Sequence, residues 1–133
     1  MHASWKKIIL HIILPLVIGL VIYMIVRPDN WIVQQLFPEN QSGKGLVSPT
    51  SPWYARWIAY SGSDFCWSYS FASALFFWKK ADGSIQWWFV VIVLLLVCFF
   101  ELIQFLFPGQ FTFDAVDLAA AFCAVVLSWL LNR

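Results

Sequence analysis

The chain has 133 residues, a formal net charge of +1, 62% hydrophobic residues and only 11% charged ones. A soluble domain carries about 25% charged residues, so this composition excludes a soluble globular protein, a disordered chain and a collagen-like one. Charge this small and this evenly spread also excludes nucleic acid as a partner. What remains is an integral membrane protein of a single domain.

A bilayer core of about 30 Å takes about 20 helical residues. The first apolar run, 8–26, follows Lys6 and Lys7 and contains Pro15 and Gly19, both of which membrane helices tolerate. It is longer than a signal-peptide core, lacks a small-x-small cleavage site and is followed at once by Arg27-Pro28-Asp29. It therefore reads as a retained first span, an uncleaved anchor. Residues 27–60 form the longest polar stretch and read as an interfacial loop. Its turn-rich centre, from Pro38 to Gly45 and from Ser48 to Pro52, is flanked by two aromatic pieces, Trp31 to Phe37 and Trp53 to Tyr60. Trp and Tyr favour the membrane–water boundary, so both pieces are expected to lie along the bilayer surface.

The second span covers about 64–78, with a start near Ile58 as the alternative. The basic turn Lys79-Lys80-Ala81-Asp82-Gly83-Ser84 follows. The third span, 85–107, is the most apolar segment and breaks at Pro108-Gly109. The fourth covers 113–131 and offers Ala115, Ala119, Ala120, Ala121 and Ala124, small residues that let membrane helices approach closely and that are expected to face the third span. The expected fold class is thus an all-α membrane protein, with four transmembrane helices in one domain over 1–133. Lys6, Lys7, Lys79, Lys80 and Arg133 fall on one side of such a bundle, and Arg27, Lys44 and Arg56 on the other. The denser set marks the cytoplasmic side, which places both termini inside.

Cys66, Cys98 and Cys123 are odd in number and form no CxxC, so they read as small hydrophobes and not as a disulfide framework or zinc site. His2 and His11 suggest no metal pair. No metal and no cofactor are expected.

The residues out of place are the carboxylates, which are costly within a membrane segment. Glu101 lies on the order of 10 Å inside the third span, about two turns from its break. Gln104, three residues on, shares its face. Asp114 and Asp117 open the fourth span, where a helix N-terminus favours negative charge and Asp114 is a candidate N-cap. Asp64 holds the matching place in the second span. Asp64, Glu101, Asp114 and Asp117 all fall at the outward end of the bundle. Three explanations stand: carboxyls protonated or bonded to Gln104, Ser68 or Tyr69; a polar pocket for a head group, a cation or a proton; or a face for a partner protein.

The stretch from Glu101 through Gln104, Pro108-Gly109 and Asp114 to Asp117 resembles the VanZ-like family of small bacterial membrane proteins. That family carries a Glu, a Gln three residues on, a Pro-Gly turn and an Asp opening the final helix. Ser63-Asp64-Phe65-Cys66-Trp67-Ser68 is similar to its earlier Asp-bearing helix start, so the likeness covers residues 61–131. It implies a multi-pass protein of the bacterial cytoplasmic membrane, acting in the cell envelope and linked by the family's name to glycopeptide resistance. It also implies that Asp64, Glu101, Gln104 and Asp117 occupy the family's polar positions. Two departures stand out. Gln110 replaces an Arg that often follows the Pro-Gly, and Ala121 and Ala124 stand where an Asn and then a Gly are often found.

The function expected from residues and resemblance together is binding. An outward-facing acidic pocket of Asp64, Glu101, Gln104, Asp114 and Asp117, supported by Ser68, Tyr69 and Gln110, would take a lipid, a lipid-linked head group or a cationic compound. The alternative is a non-catalytic accessory subunit of a larger membrane complex. The sequence holds no Ser-His-Asp or Cys-His set, no metal cluster and no phosphate-binding glycine loop, so the reading leans away from an enzyme. Expected partners are membrane lipids, then an envelope protein or a second copy of the chain.

Overall fold

The computed structural model describes residues 5–26, 52–106 and 115–133, and every element among them is a helix. Residues 27–51 and 107–114, which hold the turn-rich centre of the long loop and the Pro108-Gly109 break, lie outside the described residues.

Helix α1 covers residues 5–26. It is α-helical over Trp5–Ile8 and Leu14–Val26, with a π-helical turn over Ile9–Ile13 between them. Pro15 accounts for that turn. Its ring has no N–H to give the preceding turn and crowds the carbonyl four residues back, and membrane helices relieve such a break by widening locally and by borrowing donors from neighbours. Both remedies are present. The Leu14 N–H bonds the Ile9 carbonyl, five residues back, and the Ser70 hydroxyl of the next helix donates to the Ile12 carbonyl at 2.7 Å.

Helix α2, Trp53–Ala81, is 29 residues long, ~43 Å at 1.5 Å per residue. Pro52 starts it: a proline suits a helix entrance because it has no N–H to satisfy, and its carbonyl accepts from Ala55 N–H at 3.0 Å and Arg56 N–H at 3.1 Å. It ends at Gly83, whose φ of +139° suits a residue without a side chain. The aromatic piece Trp53 to Tyr60, expected within the interfacial loop 27–60, forms the first two turns of this helix, which begins before both of the starts expected from sequence. Hydropathy counts Ser61, Gly62, Ser63 and Asp64 as an interruption. In the fold Ser61, Gly62 and Ser63 are buried against neighbouring helices and carry the helix straight through.

Helices α3, Trp87–Leu106, and α4, Ala115–Asn132, complete the bundle. α2 is central. α1 runs antiparallel to it, pairing His11 with Tyr69 near one end and Ile22 with Gly62 near the other. α4 runs parallel to it, pairing Ser61 with Asp117, Ser73 with Ser128 and Lys80 with Asn132. The more extensive interface of α4 is with α2, and the lesser one with α3. The small face of α4 (Ala120, Ala121 and Ala124) therefore serves α2 first, a correction to the expectation that it faces α3. The reason is the polar register: Asp117, Ser128 and Asn132 share that face and find their partners on α2. α3 joins through Val90 and Val93, which pack with Ala72, Phe76 and Val125 in the apolar core.

Among the described residues, two helices are long and apolar enough to cross a membrane, Trp5–Ile25 and Ala115–Asn132. In the first, only 6% of the residues are buried by protein, and Leu10, Leu14, Val17 and Val21 lie exposed along it.

Candidate functional site

Two polar clusters lie between the helices, both anchored on α2. The first is at the end where α2 and α4 begin. Asp117 sits in the first turn of α4, where the free N–H groups of the helix favour a negative charge. Its Oδ1 accepts a hydrogen bond from the Ser61 hydroxyl at 2.5 Å. Ser61 is only 2% exposed, so the bond pins the partly buried carboxylate across the α2–α4 seam. Asp64, also partly buried, follows Ser61 by three residues and shares its face of α2.

The second cluster lies nearer the other end. His11, inside the π-helical turn, meets the Tyr69 hydroxyl through Nδ1 at 2.6 Å, and its ring also lies 6.1 Å from that of Phe77. Ser73 follows Tyr69 by four residues, one turn along the same face of α2. Ser73 and Ser128, both wholly buried, share a 2.8 Å hydrogen bond. Asn132 then donates from Nδ2 to the Ser128 carbonyl at 2.8 Å. Lys80 closes the sequence by donating from Nζ to the Asn132 carbonyl at 2.7 Å and that of Arg133 at 3.3 Å, occupying carbonyls that the end of α4 leaves without partners. A line of polar groups thus runs from α1 through α2 to the C-terminal end of α4. Buried polar groups need such partners, because each left unpaired costs roughly 1–3 kcal/mol.

The residues singled out from sequence divide between these clusters. Asp117 and Asp64 belong to the first. Ser68 is half-buried on α2. Tyr69 does not support the acidic end: it lies one residue round the helix from Ser68, about 100°, and faces α1, where His11 takes its hydroxyl. Glu101 and Gln104 fall in the last turns of α3, and their side chains lie outside the described atoms. Gln110 and Asp114 lie outside the described residues.

Two partners escaped the sequence reading. In sequence Ser61 falls between the loop 27–60 and the span start at 64, within the helix only on the alternative start near Ile58, and its spacing of three from Asp64 is its only signal. His11 reads in sequence only as a histidine that forms no metal pair. Its signal was an ionisable group inside an apolar run, four residues before a proline. Among the described residues no three His, Cys, Asp or Glu side chains gather closely enough to hold a metal ion. Comparison with protein-family models, with curated proteins and with solved structures finds nothing that matches this chain.

Proposed function

We propose that this chain is a four-pass protein of the bacterial cytoplasmic membrane, with both termini in the cytoplasm. Its outward acidic end, built on Asp64 and Asp117, would bind a lipid, a lipid-linked head group or a cationic compound. Helix direction supports the four passes. α1 and α4 are each long and apolar enough to cross, and they run in opposite senses because one is antiparallel and the other parallel to α2. α2 lies beside both along its length, so it crosses with them. α3, tied to α2 by the short turn 82–86, must then return. This arrangement gathers Lys6, Lys7, Lys79, Lys80 and Arg133 at one end, the side that the positive-inside rule makes cytoplasmic, with Asp64 and Asp117 towards the other. The VanZ-like likeness of residues 61–131, and with it a link to glycopeptide resistance, rests on the sequence motif.

The Ser61–Asp117 hydrogen bond carries the binding reading. A carboxylate held by a buried hydroxyl in a membrane segment is a functional site by default, and a carboxylate attracts a cation, not a phosphate. Native mass spectrometry of the gently extracted protein tests the reading, with Asp117→Asn and Ser61→Ala alongside. Asn keeps the shape of the side chain and an oxygen for Ser61 while removing the charge. The expected result is a bound lipid or small cation on the wild type that is depleted in Asp117→Asn. Equal occupancy in wild type and Asp117→Asn overturns the reading. So does a stoichiometric protein partner that survives both substitutions, which would make this an accessory subunit.

A further inference from the structure

The start of α2 at the acidic end is aromatic and exposed. In the register set by Ser61 and Asp117, Ala115, the first described residue of α4, stands level with Ala59. In the register set by Ile22 and Gly62, Val26, the last described residue of α1, stands level with Ile58. Residues 53–58 make the first turn and a half of α2. This turn and a half carries Trp53, Tyr54 and Trp57, which are 74%, 54% and 41% exposed.

Their spacing aligns them with the acidic end. Trp53, Trp57, Ser61 and Asp64 are separated by four, four and three residues, which puts them on one stripe of the helix. Trp57 stands one turn above Ser61, whose hydroxyl holds Asp117. The stripe thus has indole faces at the top and carboxylates at the base. Arg56, a cation of the same described turn, precedes Trp57 by one residue and is turned about 100° from it. A positively charged group over an indole face is attracted by the ring's quadrupole, and a carboxylate one turn below adds a full opposite charge. Phosphate gains from neither.

We propose that the stripe Trp53–Trp57–Ser61–Asp64, together with Asp117, is a binding site for the ammonium of an ethanolamine lipid head group. The inference rests on the reading of the acidic end given above and names its ligand class. The site's place in the bundle fits that occupant. It lies at the end of the bundle away from Lys79, Lys80 and Arg133, the outward head-group layer in the four-pass reading, while the apolar sides of the helices below it take the acyl chains. The ammonium lies between the indoles and the carboxylates, and the lipid phosphate stays outward in water.

The test is lipid retention from nanodiscs holding equal phosphatidylethanolamine and phosphatidylglycerol, read by native mass spectrometry for wild type, Trp57→Leu, Trp57→Phe and Asp117→Asn, with thermal melts confirming that each is folded. The expected result is an ethanolamine-lipid preference of about threefold or more in the wild type, kept in Trp57→Phe and lost in Trp57→Leu and in Asp117→Asn. Leu keeps the apolar bulk, so a general role of Trp57 as an interfacial anchor leaves the preference unchanged. Equal retention of the two lipids by the wild type overturns the inference. Retention that depends on Asp117 but is indifferent to Trp57→Leu overturns the inference and leaves the acidic-end reading standing. Retention indifferent to Asp117→Asn overturns both.

Discussion

Close approach of α1 to α2 turns on one residue. A Cβ built on Gly19 comes within 2.6 Å of Trp67 Cδ1, 2.7 Å of Trp67 Nε1 and 3.0 Å of Cys66 Cβ. The indole of Trp67 lies against bare backbone there, with the Tyr23 ring 5.5 Å away. Gly19→Ala should lower stability by about 1–3 kcal/mol through overpacking, seen as a lower melting temperature in detergent. Adding Trp67→Leu should restore most of the loss, and failure of that rescue would rule out the steric account. The Ser73–Ser128 bond makes a second residue-scale claim. Either serine changed to Ala leaves a wholly buried hydroxyl short of a partner. The double-Ala variant should therefore be more stable than the sum of the single losses predicts, by about 0.6 kcal/mol, the usual size for such pairs within membranes. Strict additivity in a double-mutant cycle would show that the bond contributes nothing.

At the scale of elements, α1 is held chiefly by α2. It packs on α2 and presents apolar residues outward along most of its length, so its place depends on the Gly19 contact and on two polar ties, His11 to Tyr69 and Ile12 to Ser70. Both ties fall within the turn that Pro15 widens. His11→Leu removes the His11 partner of the Tyr69 hydroxyl, on a residue only 7% exposed, and should raise amide hydrogen exchange over residues 9–17 while leaving residues 120–128 of α4 unchanged. Exchange that rises equally in both helices would mean that α1 and the α2–α4 pair unfold as one unit. α2 shows the opposite case. Its mixed surface gives little hydropathy signal, yet it is the element every other helix touches.

For the whole molecule, opposite senses of α1 and α4 around a shared central helix make a topological claim. Reporter fusions at residue 83 and after residue 133 should read cytoplasmic, and an insertion at residue 44 should read external. Reporters at residues 44 and 83 that read on the same side would break the four-pass arrangement, because α2 between them would then not cross. The basic end also carries two cation–aromatic contacts: Lys79 lies 6.0 Å from the Trp88 ring and Arg133 5.9 Å from that of Trp129. Such pairs suit a membrane boundary, where an indole and a cation both favour the interface.

The sequence by itself determined the all-helical class and most of its helices. Long apolar runs of up to about 20 residues favour helices, which satisfy their own backbone hydrogen bonds without water. It also marked Asp117 and Asp64, because a carboxylate among apolar residues is visible without a fold. Only the tertiary structure decided how the polar residues pair. The partners lie more than 50 positions apart in the chain, Ser61 with Asp117 and His11 with Tyr69, and periodicity along one helix says nothing of which neighbour that face will meet. The length of α2 was hidden for the same reason. Small polar residues read as loop when judged by their own hydropathy, and become helix core once a neighbouring helix supplies the partners for their hydroxyls.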